Sequence, residues 1–366
     1  MNRNPAAQPA GKDTFFALHH FDCIIDARSP AEFAEDHLPG AINCPVLDDA
    51  QRITVGTLYK QVSPFEARKI GAAMVSENIA RHLRERFLSM PKHWKPLIYC
   101  WRGGQRSGAL TTVFRQVGWD AKQLEGGYKS YRRFVVEELA TLPRSFAYRV
   151  IKGATGSGKT RILQSMARQG AQVLDLEALA GHKGSVLGLV PDTLQPSQKS
   201  FEAALLFSLQ GLDSSRPVFV EAESRKIGAL HVPETMIESM RASPCITIDV
   251  PREARVAFLL RDYDYFVRQP DTLMNRLSAL KSIRGEKIIE KWRALAQANQ
   301  WNDFVEALLA DHYDELYLKS QSSNYDSGDA QEHRIAAESL DDNEIDRVAA
   351  LTLATVASEG NQEQSR

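Results

Sequence analysis

Short apolar runs alternate with longer amphipathic stretches along the first 250 residues of the chain. The apolar runs, at residues 22–26, 96–100, 148–151, 172–175, 217–221 and 245–249, are typical of strands buried on both faces of a parallel sheet. The stretches between them have helical periodicity. The alternation predicts an α/β fold, and 366 residues are enough for two domains of ordinary size.

Composition and periodicity together place the domain boundaries. We expect a disordered N-terminus at 1–13, an α/β domain at 14–137, a linker at 138–147, and a second α/β domain at 148–250. A densely charged helical extension follows at 251–320. Residues 321–366 are rich in Ser, Asp, Glu and Gln and predict an acidic, largely disordered tail, although residues 345–356 fit one amphipathic helix.

Charge and cysteine usage narrow the class of protein only slightly. The chain has a net charge of -1, but residues 321–366 hold ten acidic and three basic residues, so the body is mildly basic. That suits a nucleic-acid partner and equally a solvated surface. The four cysteines show no CxxC spacing, which argues against a disulfide framework or structural zinc. Without an apolar span or secretory signal, we expect a cytoplasmic protein.

A cysteine loop follows the strand at 96–100, with the sequence Cys100-Trp101-Arg102-Gly103-Gly104-Gln105-Arg106-Ser107. Its glycines allow backbone N–H groups to turn toward the sulfur, and a helix begins directly after it, which favours the nucleophilic thiolate. Arg102 and Arg106 add positive charge for an oxyanion. The loop predicts Cys100 as a catalytic nucleophile.

A phosphate loop follows the strand at 148–151, with the sequence Gly153-Ala154-Thr155-Gly156-Ser157-Gly158-Lys159-Thr160. It matches the Walker A pattern, in which glycines expose N–H groups to one phosphate, Lys159 reaches the terminal phosphate and the Thr160 hydroxyl can hold Mg²⁺. The firm inference is that it binds a diphosphate. Nucleotide hydrolysis does not follow.

Three carboxylates at strand ends are candidates for a base or for the metal side of this site: Asp175, Glu221 and Glu223. Glu221 and Glu223 lie where a Walker B motif usually has aspartate, and a salt bridge explains them equally well. Asp175 either positions a substrate or caps the next helix. The missing aspartate argues against ATPase chemistry, and whether a metal is needed stays open.

The N-terminal domain resembles the rhodanese family in three separated signatures: residues 26–33 with 37–43, the cysteine loop, and Leu124-Glu125-Gly126-Gly127-Tyr128. The resemblance implies a doubly wound parallel sheet and a cysteine that carries sulfur or selenium. It also implies scaffold roles for Asp26 and Arg28 and a structural role for His37. The loop is one residue longer than in common rhodaneses and equals the Cys-x5-Arg pattern of cysteine phosphatases, so it suits a phosphate-sized donor.

Taken with polar clusters at 176–185, 195–202 and 223–228 and the segment 311–317, the whole arrangement resembles the tRNA 2-selenouridine synthase family, a rhodanese domain fused to a P-loop domain. The resemblance implies that the wobble 2-thiouridine of tRNAs for Lys, Glu and Gln is S-geranylated from geranyl diphosphate. Selenium from selenophosphate then replaces the thioether. It implies no tightly bound cofactor, with Mg²⁺ a candidate ion, and contact with a selenophosphate-producing enzyme.

The tRNA is expected on residues 252–293, which contain ten basic and six acidic residues. Aromatic side chains there are candidates for base stacking, although core packing explains each one as well. The candidate tRNA contacts are Arg225, Lys226, Arg261, Tyr263, Tyr265 and Arg268, with Phe266 beside them. We expect a monomer. The alternatives are a rhodanese-type sulfurtransferase fused to a small-molecule P-loop kinase, a Cys-x5-Arg phosphatase, and a non-catalytic module with a regulatory NTPase.

Overall fold

The computed structural model describes residues 7–8, 15, 17–185, 187–188, 193–268, 270–278, 280–317 and 333–363. The chain divides into two units, Met1–Glu138 and Leu139–Arg366. The elements of the first unit are, in chain order, β1 (Ala7–Gln8), β2 (Cys23–Asp26), α1 (Pro30–Glu35), β3 (Ala41–Asn43), α2 (Asp49–Gln61), α3 (Pro64–His82), β4 (Pro96–Tyr99), α4 (Gln105–Val117), β5 (Lys122–Leu124) and α5 (Gly127–Leu139). A 3-10 turn at Leu18–His20 and a π-helical turn at Leu83–Phe87 complete them.

The first sheet is parallel throughout and has the strand order β1-β5-β4-β2-β3. β4 is central, and its four residues are all buried, as its continuous apolar sequence predicts. Ile25 of β2 pairs with Ile98 of β4, and both are 0% exposed in a core that also contains Phe114 and Trp94. The central position of β4 delivers the cysteine loop to the carboxyl edge of the sheet.

The second unit alternates strands and helices and then becomes helical. Its elements are β6 (Tyr148–Lys152), α6 (Lys159–Arg168), β7 (Gln172–Leu174), α7 (Leu176–Ala180), α8 (Gln198–Gln210), β8 (Val218–Glu221), β9 (Lys226–Ile227), β10 (Leu230–His231), α9 (Glu234–Arg241), β11 (Cys245–Asp249), α10 (Arg252–Asp262), α11 (Asp264–Arg268), α12 (Pro270–Ser278), α13 (Lys281–Arg284), α14 (Glu286–Gln297), α15 (Trp301–Leu308), β12 (His333–Ala336) and α16 (Asp342–Glu363). A π-helical turn at Leu309–Tyr313 follows α15.

The second sheet is also parallel, with the order β12-β11-β6-β8-β7, while β9 and β10 form a separate antiparallel hairpin. β6 and β8 lie side by side, with Ile151 paired to Glu221. Helices α10 to α15 pack around a core of their own centred on Trp292, which is 0% exposed. The predicted α/β class with two parallel sheets and a helical extension is confirmed.

The prediction of a largely disordered tail at 321–366 is wrong for residues 333–363. β12 extends the second sheet, with Ile335 paired to Ile248, and α16 packs on the same core as α6. Val348 and Ala349 of α16 are both 0% exposed. The acidic residues occupy the outer face of an amphipathic helix, so the second α/β domain does not end at residue 250. Residues 321–332 lie outside the described residues.

Two smaller expectations also change. The predicted N-terminal disorder at 1–13 is wrong for Ala7–Gln8, which pair with β5, and the remainder of that segment lies outside the described residues. The predicted linker at 138–147 contains a 3-10 turn, Leu142–Ser145, that contacts α9. The Thr235 hydroxyl of α9 donates to the Leu139 carbonyl at 2.6 Å.

In the part of the chain that the structure describes, none of the helices combines the length and the apolar character needed to cross a membrane.

Candidate functional site

The Cys100 sulfur lies at the carboxyl end of β4 and is held by two hydrogen-bond donors. The Gly104 N–H lies 3.3 Å from Sγ and the Ser107 hydroxyl 3.1 Å from it. Cys100 is 3% exposed, so little water competes for these contacts. Donors directed at a sulfur stabilise negative charge on it, which is the reactive form of a thiol. We call this arrangement the thiol cradle.

Gln123 of β5 orients the cradle and was not predicted from the sequence. Its Nε2 donates to the Gly103 carbonyl at 2.8 Å and to the Ser107 Oγ at 2.9 Å. Since the Ser107 oxygen already accepts this bond, its hydrogen is free to point at the sulfur of Cys100. The sequence offered only a glutamine inside a short strand as a signal. In the structure its side chain is buried, with 4% exposed.

Two glycines let the backbone close around the sulfur. Gly103 has φ +66°, and a Cβ there would lie 2.5 Å from the Leu124 carbonyl oxygen. Gly127, in the segment that resembles the closing rhodanese signature, has φ +55°, and a Cβ there would lie 2.2 Å from the Cys100 carbonyl oxygen. Both positions therefore require glycine.

The arginines of the cysteine loop differ in their surroundings. Arg106 forms an ion pair with Glu32 at 2.6 Å, and Glu32 also pairs with Arg52 at 3.0 Å. Part of the positive charge expected for an oxyanion is therefore compensated within the protein. Arg102 is exposed, as is Gln105 at the start of α4. The Trp101 ring packs 5.3 Å from the Tyr128 ring.

Below the cradle, Asp26 and Arg28 form a buried ion pair of 2.6 Å. The Arg28 guanidinium also donates to the Asp36 carbonyl and lies 4.0 Å from the centroid of the Tyr128 ring. These contacts fix the start of α5 against β2, which is a scaffold role. His37 stacks on the neighbouring Phe33 ring at 3.9 Å, and its Nδ1 lies 2.9 Å from the Phe33 carbonyl.

The phosphate loop, residues 153–160, connects β6 to α6 in the second unit. Gly156 and Gly158 have φ of +83° and +71°, and a Cβ on Gly153 would lie 2.4 Å from the Ser157 oxygen. Lys159 folds back over the loop, with Nζ donating to the Gly153 carbonyl at 3.1 Å. The loop forms one wall of a cavity of about 720 Å³.

Three carboxylates, Glu177, Glu221 and Glu223, meet in this cavity with ligand oxygens all within 4.8 Å of one another. Burial and the neighbouring Glu221 raise the pKa of Glu177 to about 9 and that of Glu223 to about 7. Burial also raises the pKa of Glu221, whose Oε1 has no hydrogen-bond partner in the structure. The nearby Lys159 lowers all three pKa values. One lysine cannot balance three carboxylates, so protons or a cation must supply the remaining positive charge.

The sequence pointed to Glu221 and Glu223 but missed Glu177, and of the two roles left open for Asp175 the structure shows the helix cap. The Asp175 carboxylate caps α7 by accepting the Ala178 N–H at 2.8 Å. Glu177, in the first turn of α7, accepts the Thr160 hydroxyl at 3.1 Å. The sequence does show that Glu177 follows a strand and lies in the first turn of a helix. It does not show that this turn lies beside the phosphate loop.

The helical extension forms another wall of the same cavity. Arg255 donates to the Thr155 carbonyl of the phosphate loop at 3.2 Å and pairs with Asp314 at 2.7 Å. Leu259 packs so closely on Gly156 that a Cβ there would lie 2.8 Å from it. These contacts join α10 and the segment 311–317 to the phosphate loop.

The predicted tRNA contacts have mixed surroundings. Phe266 is 5% exposed, so of the two roles that the sequence left open for it, core packing is the one that the structure shows. Tyr263, which lies between α10 and α11, and Tyr265 are half-buried, and their ring centroids lie 6.0 Å and 4.6 Å from that of Phe266. Lys226 is exposed on β9. Three of the arginines bind protein groups: Arg225 pairs with Glu234, Arg268 with Asp264, and Arg261 donates to the Leu340 carbonyl.

His312, on the π-helical turn, lines the cavity although the sequence did not suggest it. Arg284 donates to its Nδ1 at 2.9 Å, so the neutral ring carries its proton on Nε2. Burial and the Arg284 charge lower the pKa of His312, which keeps the ring neutral. Nε2 is buried and has no hydrogen-bond partner in the structure. It can donate to a bound ligand.

Comparisons with known proteins agree with this division. Residues 146–281 match the tRNA 2-selenouridine synthase AAA domain and residues 13–133 match the rhodanese-like domain. A protein of Nitrosomonas europaea named tRNA 2-selenouridine synthase is 39% identical over 268 residues, which cover 71% of this chain and 68% of that protein. A protein of the same name from Marinobacter nauticus is 31% identical over 325 residues, which cover 80% of this chain and 87% of the relative.

Proposed function

Since the chain belongs to the tRNA 2-selenouridine synthase family, we propose that it is a tRNA-modifying enzyme that replaces the sulfur of wobble 2-thiouridine by selenium in tRNAs for Lys, Glu and Gln. It first alkylates the sulfur with geranyl diphosphate and then transfers selenium from selenophosphate. The observation that carries the proposal is the presence in one chain of a thiol held by two donors and an intact phosphate loop.

The first step makes the thiocarbonyl sulfur a better leaving group. The sulfur attacks C1 of the geranyl chain, an S–C bond forms, and the C1–O bond to the diphosphate breaks. Residues 153–160 bind the diphosphate, and Lys159 stabilises the charge that develops on it. A neutral His312 beside the site can donate a hydrogen bond without becoming charged.

The carboxylate cluster fits a divalent cation such as Mg²⁺. Glu177, Glu221 and Glu223 would hold it, because their oxygens lie within 4.8 Å of one another and the buried Glu221 Oε1 lacks a partner. When bound, the cation supplies positive charge to the diphosphate oxygens. Lys159 and Thr160, on the adjacent wall, position the diphosphate.

The second step uses the thiol cradle. The Cys100 thiolate attacks the phosphorus of selenophosphate while the Gly104 N–H and the exposed Arg102 bind its oxyanion: an S–P bond forms, and the Se–P bond breaks to release selenide. The selenide attacks C2 of the modified base, a C–Se bond forms, and the C2–S bond breaks to release the geranyl thiolate. Water then hydrolyses the S–P bond to phosphate and restores the thiol. The buried position of Cys100 limits the loss of selenide to bulk water.

The tRNA anticodon loop is the macromolecular substrate in this proposal. The basic segment 252–293 and the exposed Lys226 offer phosphate contacts. Tyr263 and Tyr265, being half-buried, have less ring surface to offer a base than the sequence suggested.

Nucleoside mass spectrometry of 2-thiolated tRNA tests the proposal directly. Incubation with the protein and both donors should yield 2-selenouridine, geranyl diphosphate alone should yield only the S-geranyl nucleoside, and selenophosphate alone should yield neither. Formation of 2-selenouridine without geranyl diphosphate would contradict the order of steps. Nucleotide hydrolysis without tRNA modification would instead favour a sulfurtransferase fused to a kinase.

A further inference from the structure

A second, apolar cavity lies beside the phosphate loop and takes no part in the two steps of the proposed reaction. Its volume is about 60 Å³, and five of its lining residues, among them Thr155, Leu259 and Tyr263, also line the larger cavity. We call it the apolar slot. Because the two cavities share these residues, the slot lies directly beside the cavity of the phosphate loop.

The chemistry of the slot differs sharply from that of the larger cavity. The ten residues that line only the slot are all apolar, and they include Leu260, Leu273, Trp301 and Phe304. A single ordered water needs about 10–15 Å³ and two to four polar partners, so the slot is larger than one water site yet offers water few partners. Such a space favours hydrocarbon over water.

The slot also differs from a nucleotide-base pocket. A purine bound there would bury ring nitrogens and an amino group, which need hydrogen-bond partners. Only the shared residues at the junction with the phosphate loop, Thr155, Ser185, Tyr263 and Tyr313, have polar side chains. The far side, from α12 and α15, adds only the indole N–H of Trp301, which donates but accepts no hydrogen bond. A ligand with a charged diphosphate and an apolar tail matches both cavities at once.

We propose that the apolar slot binds the hydrocarbon chain of the diphosphate ester whose head group binds residues 153–160. This inference rests on the proposed function and adds the location of the chain and the residues that select its length. Leu259 and Tyr263 line both cavities, whereas Leu273, Trp301 and Phe304 line the slot alone. The side chains on the far side therefore limit how long a chain the protein accepts.

A slot-filling variant tests the location. Leu260→Trp adds bulk to a half-buried slot residue on α10, and Ala257→Trp adds the same bulk to the exposed face of that helix. Isothermal titration calorimetry would measure binding of geranyl diphosphate and of inorganic diphosphate. Each buried methylene is worth about four-fold in affinity, so we expect Leu260→Trp to weaken geranyl diphosphate at least ten-fold. Inorganic diphosphate should bind it normally, and Ala257→Trp should bind both as the parent protein does.

A second variant opens the slot and gives a gain that misfolding cannot mimic. Trp301 is half-exposed at the start of α15, so Trp301→Ala should be tolerated. We expect the ratio of affinities for the fifteen-carbon farnesyl diphosphate and the ten-carbon geranyl diphosphate to rise at least five-fold. An unchanged ratio in Trp301→Ala together with unchanged geranyl binding in Leu260→Trp would overturn the inference.

Failure of the slot and failure of the proposed function give different results. If the parent protein binds inorganic diphosphate but gains nothing from the geranyl chain, both fail. If it geranylates thiolated tRNA normally and neither slot variant alters chain preference, only the slot assignment fails. Competition between adenosine triphosphate and geranyl diphosphate that Leu260→Trp relieves would assign the slot to a nucleotide and overturn the inference.

Discussion

The thiol cradle and the phosphate-loop cavity both begin where a parallel strand ends, but they are assembled over different lengths of chain. The two donors to the Cys100 sulfur, and Gln123 and Gly127 that orient or accommodate its loop, come from residues 100–127. The cavity of the second unit draws its walls from residues 152–317. A local motif therefore specifies nearly the whole of the first site and only one wall of the second.

The two regions also differ in how charge is balanced. In the first unit, Arg106 of the cysteine loop is paired with Glu32, and the donors to the sulfur are a neutral N–H and a neutral O–H group. In the second, Lys159 faces three carboxylates with raised pKa values. The cradle is suited to a thiol nucleophile, whereas the cavity is suited to bind a polyanion together with a cation.

The largest effect should come from removing the sulfur itself. In Cys100→Ala we expect complete loss of 2-selenouridine while the S-geranyl nucleoside still forms, because only the second step uses the thiol. Nucleoside mass spectrometry measures both products. Cys44→Ala is the matched control, since Cys44 is a fully buried thiol of the same unit whose pKa burial raises to about 11. Loss of geranylation in Cys100→Ala with selenation intact would reverse the assignment of steps to loops.

The next largest effect should come from removing the positive charge of Lys159 in the phosphate loop. Lys159→Ala should slow geranyl transfer about 10²–10³-fold, since it deletes a donor to the leaving group, and selenation of thiolated tRNA should fall with it. Arg168→Ala, at the exposed far end of the same helix, should be normal. The decisive readout is tRNA already S-geranylated, which Lys159→Ala should still selenate. Normal geranyl transfer by Lys159→Ala would remove the phosphate loop from the reaction.

A charge in the core of α16 should separate the stabilities of the two units. Val348 is 0% exposed, so Val348→Asp buries an unpaired carboxylate and should destabilise the second unit by about 4 kcal/mol or more. Leu351→Asp is the control on the same helix, where the side chain is 44% exposed. Guanidinium unfolding and diphosphate binding would measure the effect. Equal behaviour of the two variants would mean that α16 contributes little to the second unit.

Local sequence patterns predict both strand-loop-helix motifs and the parallel sheets, because the signals for these features span only a few residues. Glu177, Gln123 and His312 could not be predicted in this way, since each lies on a different element from the loop whose site it completes. The amphipathic helix that residues 345–356 suggested is part of α16, and its Ile345, Val348, Ala349, Thr352 and Val356 form one buried stripe. The pairing of β12 with β11, in contrast, has no local signal in the sequence.

The glycines of the cradle give a smaller and more local effect. Gly103→Ala and Gly40→Ala both place alanine at positive φ, +66° and +72°, which costs about 1–2 kcal/mol. Only Gly103 adds a clash, with the Leu124 carbonyl at 2.5 Å, whereas a Cβ on Gly40 meets nothing within 4 Å. We expect Gly103→Ala to lose more unfolding free energy in guanidinium and to slow selenation. The same loss in both variants would show that the close approach in the cradle has no cost.

The smallest effect is a pH dependence confined to the second unit. A glutamate in an unfolded chain has a pKa of about 4.3, whereas the folded cluster raises the pKa of Glu223 to about 7 and that of Glu177 to about 9. Between about pH 5 and 9 the folded protein therefore binds more protons than the unfolded chain, so its stability falls as pH rises. Burial lowers the pKa values of His182 and His312 from their usual range, so the interval from about pH 7 to 9 is left to the carboxylates.

The prediction is that, without divalent cations, the free energy of unfolding of the second unit falls from about pH 7 to 9, measured by guanidinium unfolding at each pH. Glu177→Gln should flatten this dependence, because glutamine cannot lose the proton that the folded cluster retains. Glu306→Gln, at an exposed position on α15, should leave the slope as it is. A parent protein whose stability is constant or rises over this interval would mean that the cluster is already ionised at pH 7. Balancing cations would then have to come from another part of the cavity.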